Sequence, residues 1–159
     1  IDDTTSNSFA CDLAKWLWIM ETYEKGGHAY HATMPTDGLV TFSHMMNEMK
    51  KIGFDTVYHR QQELGDRVRS LLGMKGFKSV AADGYGAPGV VVCYTDDPAI
   101  QNGSKFAELG LQIAAGVPLR CGEPDGFSTF RLGLFGLDKL NNIDAAVVTL
   151  EKALDQVLA

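Results

Sequence analysis

The chain has 159 residues, 45% hydrophobic and 21% charged, enough to bury about 68–70% of its unfolded surface in a domain of ordinary size. Its 17 glycines and 5 prolines show neither the period of collagen nor the bias of a disordered tract. Fourteen Lys and Arg stand against twenty Asp and Glu, a net charge of -6 with no basic cluster, which argues against a protein that works by neutralising nucleic-acid phosphates.

No nearly uncharged apolar stretch reaches the ~18 residues of a membrane span, and no Lys- or Arg-flanked apolar segment opens the chain. Cys11, Cys93 and Cys121 are odd in number, widely spaced and without a CxxC pair. They fit neither a disulfide scaffold nor a zinc knuckle, and the expectation is a soluble protein of the reducing cytoplasm. The first residue is Ile1 rather than Met, so a processed product or a piece of a longer protein is expected.

Leu13, Trp16, Leu17, Met20 and Tyr23 recur at helical spacing behind Asp12, a capping residue, and predict a first helix over about 12–25, stopped by Gly26-Gly27. Leu39, Phe42, Met46, Met49 and Ile52 form a second stripe, opened by Thr36 or Asp37 and closed by Gly53; its Met-rich face reads as core packing. A third, amphipathic helix over about 54–72 carries Val57, Leu64, Val68, Leu71 and Leu72 on one side. Strands are predicted over Lys78 to Ala82 and Gly89 to Thr95, then a helix from Ser104 to Ala114. Two more strands follow over Val117 to Cys121 and Phe127 to Phe135, and a last helix runs from Asn142 or Asp144 to Leu158. Consecutive strands with short connections imply an α+β fold, a small antiparallel sheet covered by helices.

Gly84-Tyr85-Gly86-Ala87-Pro88-Gly89 spells GxGxxG, but a strand follows it instead of the helix N-terminus that holds a pyrophosphate. It reads as a connection between strands. His28 and His31, with His44, His59, Asp37 or Glu24, lack a second closely spaced ligand pair, so no metal site is expected. Arg131 lies in the strong strand pattern Phe127 to Phe135, on the face of Thr129 and Gly133. It is either an edge-strand charge or a structural ion pair, or else a guanidinium fork that binds the carboxylate of a small substrate. Tyr30 and Thr33 flank His31-Ala32 between two predicted helices, where their hydroxyls suit a phosphate.

The segment His28-Ala29-Tyr30-His31-Ala32-Thr33-Met34-Pro35, the long helix behind it, and Thr129-Phe130-Arg131-Leu132-Gly133-Leu134-Phe135-Gly136 together resemble the C-terminal part of a class V aminotransferase. The likeness is to the alanine-glyoxylate and serine-pyruvate group of fold-type-I pyridoxal-phosphate enzymes and runs from about Phe9 to Leu158. It implies that residues 1–52 are the tail of the large cofactor domain with the linking helix, and 53–159 the small C-terminal domain. It also implies that Tyr30 and Thr33 reach the cofactor phosphate of a neighbouring subunit in a homodimer, and that Arg131 binds the substrate carboxylate. Substrates would be a small amino acid of the alanine or serine type and a 2-oxo acid such as glyoxylate or pyruvate. The chain departs from the family's Gly-rich stretch, having Gly116-Val117-Pro118-Leu119-Arg120-Cys121-Gly122-Glu123-Pro124.

Pyridoxal-phosphate transamination needs a Schiff-base lysine, a carboxylate for the pyridinium nitrogen and a surface stacked on the ring. The resemblance puts all three upstream of this chain, so no catalytic residue is assigned here and the chain alone is expected to be inactive. Two alternatives remain. Cys121, ten residues before Arg131 and next to Arg120, suits the thiolate of a desulfurase-like class V enzyme, and the fold also suits a non-catalytic interaction domain.

Overall fold

The computed structural model describes residues 6–31, 33 and 35–159. Ala32 and Met34 of the histidine-containing motif lie outside the described residues. The chain divides into two compact units, Ile1–Met45 and Met46–Ala159.

The first unit is organised by helix α1, Leu13–Glu24. Its start is capped as the sequence implied: the Asp12 carboxylate accepts from the Lys15 N–H at 3.0 Å. Its end is set by Gly26, whose φ of 77° permits the closing turn. There the Gly26 N–H donates to Tyr23 and the Gly27 N–H to Thr22, satisfying carbonyls that the helix leaves free. Helix α2, Thr36–Ile52, begins at Thr36 and ends where Gly53 takes a φ of 95°. The apolar stripe expected to be core differs: α2 has no buried residue, and Leu39, Phe42 and Met46 are exposed. Only Met49 and Ile52, on its last turn, pack against the core of the second unit, to which both belong.

In the second unit, helix α3, Phe54–Met74, buries Val57, Leu64, Val68, Leu71 and Leu72. The sheet has three antiparallel strands in the order β1-β3-β2: β1 Val90–Tyr94, β2 Ala114–Ala115 and β3 Thr129–Gly133. Short helices α4, Pro98–Gln101, and α5, Ser104–Glu108, lie between β1 and β2. Helices α6, Leu137–Asn141, and α7, Ile143–Val157, follow β3. Phe130 is the aromatic centre of the core, edge-on to Phe77 at 5.0 Å and stacked on Phe106 at 6.1 Å between ring centres. Leu64, Val91, Leu132 and Leu154 close around it.

Three predicted elements are smaller or displaced. The strand expected over Lys78 to Ala82 is reduced to one bridge between Ser79 and Cys93. The helix expected from Ser104 to Ala114 stops at Glu108, and its last residue belongs instead to β2. The strand expected over Val117 to Cys121 is irregular, because it contains Pro118 and turns at Arg120, whose φ is 58°. The helical α6 was not expected at all.

Candidate active site

β3 is the central strand, so its backbone is held from both sides and its side chains alternate between two faces. Phe130 and Leu132 point into the core, fully or almost fully buried. Arg131 therefore takes the other face, opposite Val92 of β1 and Ala114 of β2. Val92 is half-buried there, while Tyr94 and Gly133 are exposed.

Arg131 is half-buried and takes part in none of the ion pairs among the described residues. Its Nε–H donates to the Ala115 carbonyl at 3.0 Å. The terminal nitrogens have no protein acceptor among the described residues. A charge taken partly out of water without a carboxylate partner attracts an anion, and a guanidinium anchored by Nε presents two parallel N–H donors to it. Sequence spacing left an edge-strand charge, a structural ion pair and a substrate fork open; the central place of β3 rules out the edge-strand charge, and no ion pair holds Arg131 among the described residues.

Tyr30 and Thr33 are both exposed, and Tyr30 Oη lies 3.5 Å from Thr33 Oγ1. Two adjacent hydroxyls fit two oxygens of one phosphate. The segment alternates, with Ala29 buried and His31 turned inward against the rings of Phe9, stacked at 4.4 Å, and Trp16, edge-on at 5.1 Å. Trp16 is itself held by a bond from Nε1 to the Ala10 carbonyl at 3.2 Å. His31 is thus an aromatic packing residue of the first unit, and His28 lies edge-on to Tyr23. Among the described residues no three His, Cys, Asp or Glu side chains gather as metal ligands.

The GxGxxG segment is a clasp that joins α3 to β1. Arg69 on α3 donates to Ser79 Oγ, to the Ala87 carbonyl at 2.7 Å and to the Val90 carbonyl at 3.0 Å, while Gln61 Nε2 reaches the Pro88 carbonyl. Gly65 lies under Pro88, where a Cβ would come within 2.8 Å of backbone.

Cys121 is exposed and unpaired in a turn closed by Glu123. The Glu123 carboxylate accepts from the Arg120 and Cys121 N–H groups at 2.7 and 2.8 Å. These backbone donors, with Arg120 the largest, hold its carboxyl down at about 2. Cys93 is the opposite case, buried on β1, where loss of water pushes its thiol up to about 11. Reading the sequence by residue type missed the Ala115 carbonyl, because a main-chain partner leaves no mark on side-chain identity.

No protein-family profile matches the chain, and no curated protein matches it in sequence. Solved structures do match its fold. An alanine-glyoxylate aminotransferase from Nostoc sp. superimposes with a TM-score of 0.76 at 19% identity, over 99% of this chain and 39% of its own. A ureidoglycine-glyoxylate aminotransferase from Bacillus subtilis gives 0.65 at 17% identity, over 99% and 43%. An aspartate aminotransferase of subgroup IV from Thermus thermophilus gives 0.60 at 16% identity, over 96% and 41%. The chain therefore spans about two fifths of the length of the aminotransferases it resembles. A three-stranded antiparallel sheet with helices, matched almost end to end by much longer aminotransferases, is the fold expected for a C-terminal portion of such an enzyme.

Proposed function

We propose that this chain is the C-terminal portion of a pyridoxal-phosphate-dependent aminotransferase of class V. In this reading the complete enzyme moves an amino group from a small amino acid of the alanine or serine type to a 2-oxo acid such as glyoxylate or pyruvate. The observation that carries it is Arg131, a guanidinium on the central strand with one nitrogen fixed by a carbonyl and the others unpaired among the described residues.

The hydroxyls of Tyr30 and Thr33 fit the phosphate end of the cofactor, since they stand side by side and exposed. When bound, pyridoxal phosphate supplies the electron sink that makes amino-group transfer possible. Arg131 binds and orients the substrate carboxylate, which sets the direction of the neighbouring amino-bearing carbon. Tyr30 and Thr33 donate to phosphate oxygens and so hold the cofactor end fixed. The lysine of the reaction lies outside this chain, and the chain by itself does not transaminate. None of its nine lysines stands in a motif that matches the family's.

Tyr30 and Thr33 act in the site of a second subunit, so the enzyme is a homodimer; the exposed Leu39, Val40 and Phe42 of α2 support an interface. Residues 1–52 belong to the large domain with its linking helix and 53–159 to the small domain. Among the described residues no helix is long and apolar enough to cross a membrane, and the unpaired cysteines support a cytoplasmic location.

Arg131→Lys in the complete enzyme tests this reading. Lysine keeps the charge but loses the fork, so KM for the amino acid rises and kcat/KM falls by about 1–3 kcal/mol. An unchanged KM assigns Arg131 a structural role and removes the proposal's main support.

A further inference from the structure

Gly116 sits where β2 ends, and it has no room for a side chain. A Cβ there would lie 1.7 Å from the carbonyl oxygen of Thr129 on β3 and 2.6 Å from its Oγ1. Its φ is not in the left-handed region, so the requirement is space and not conformation. The same residue is gripped by Gln101, the last residue of α4. The Gly116 N–H donates to the Gln101 carbonyl at 3.2 Å, and Gln101 Nε2 donates back to the Gly116 carbonyl at 3.2 Å. Immediately before Gly116 stands Ala115, whose carbonyl accepts from Arg131 Nε. With only two residues, β2 has no long ladder of its own to hold that carbonyl still.

We propose that Gln101 is a positioning residue for Arg131: its reciprocal bonds with Gly116 hold the Ala115 carbonyl where it fixes the guanidinium, with both terminal nitrogens left for a substrate carboxylate. The substrate half of this inference rests on the aminotransferase reading. A guanidinium on a flexible stem recognises a carboxylate through two bonds only if its plane is held. The bond from Nε to a main-chain oxygen holds it, and that oxygen is only as steady as the strand that carries it. The bare Gly116 lets β2 approach β3 and the Gln101 amide stops it from moving away. Gln suits this place because the Gly116 carbonyl needs a donor, which an apolar residue of equal size lacks.

The experiment reads the hydrogen-bonded Nε–H of Arg131 directly, by hydrogen exchange on the nitrogen-15-labelled chain. Arg60, Arg67 and Arg69 donate through terminal nitrogens only, so among the described arginines Arg131 alone has its Nε–H bonded to protein. Gln101→Met keeps the volume and removes the donor. Exchange at Arg131 Nε–H is expected to speed up about tenfold while the backbone amide spectrum stays in place. Gly116→Ala, which pushes β2 outward, gives the same acceleration. If that variant does not fold, Gln101→Asn, one methylene too short to reach, replaces it. Unchanged exchange in folded Gln101 variants overturns the inference. In the complete enzyme, Gln101→Met raises KM for the amino acid in the direction of Arg131→Lys and leaves kcat nearly as it was. Faster exchange with a KM insensitive to Arg131→Lys sinks the substrate role alone. A KM sensitive to Arg131→Lys with unaltered exchange in Gln101→Met sinks the positioning role alone.

Discussion

Arg131 is planted in the middle strand of a sheet whose other face is the core, whereas Tyr30 and Thr33 stand on an irregular segment held by Ala29 and by the rings of Phe9, Trp16 and His31. The first is fixed by burial: its strand neighbours Phe130 and Leu132 anchor the backbone on both sides of it. The second is mostly solvent-facing, with Tyr30 74% exposed. In the proposed roles, a charged fork that must keep one plane is better mounted on a rigid strand, while hydroxyls that would meet a phosphate from outside need access before they need rigidity. Local stability should follow this division, lowest where little apolar surface is covered.

Phe130→Ala gives the largest effect, because it empties the centre of the core beside Phe77 and Phe106. It is expected to cost about 3–5 kcal/mol in urea unfolding. Tyr30→Ala, on the exposed segment, is expected within about 0.5 kcal/mol of the parent protein. Equal losses in the two variants would abolish the contrast between the regions.

Gly65→Ala sharpens it from the side of the clasp. A methyl group there meets the Pro88 backbone at 2.8 Å, which neither helix nor loop can give way to cheaply, and about 1–3 kcal/mol of stability is expected to be lost. A smaller loss would mean that the 84–89 connection moves freely over α3 despite the Arg69 bonds.

The smallest effect lies in the exposed turn before β3. Because the Glu123 carboxyl titrates at about 2 in the folded chain against an ordinary 4.5, its contribution is complete above about 4.5 and is lost as pH falls towards 2. Amide exchange at Arg120 and Cys121 should lose protection over that window, and Glu123→Gln should remove the pH dependence. A loss centred near neutral pH would contradict the assignment.

The capped helices were legible because their signals are local. Asp12 and Gly26 bracket α1, Gly53 ends α2, and Asn142 opens α7 by accepting from the Ala145 N–H at 3.1 Å. β3 was legible from its alternation, and with it the face of Arg131. The Lys78 to Ala82 strand and the core role of the Met stripe were misread, because pairing partners and burial depend on what packs alongside. Ser79 keeps a single bridge, and Leu39, Phe42 and Met46 are exposed although their spacing is that of a core helix.

Residue order by itself determined the α+β class, the capped ends of α1, α2 and α7, the strand under Arg131 and the pair of hydroxyls, since each depends on neighbours within a few positions. Only the tertiary structure decided that Arg131 has no carboxylate partner among the described residues, that the Ala115 carbonyl holds its Nε, and that Gly116 and Gln101 set that carbonyl's place. Those contacts join residues 15 and 16 positions apart through main-chain atoms, and main-chain atoms are the same in every residue, so no pattern of side chains can announce them.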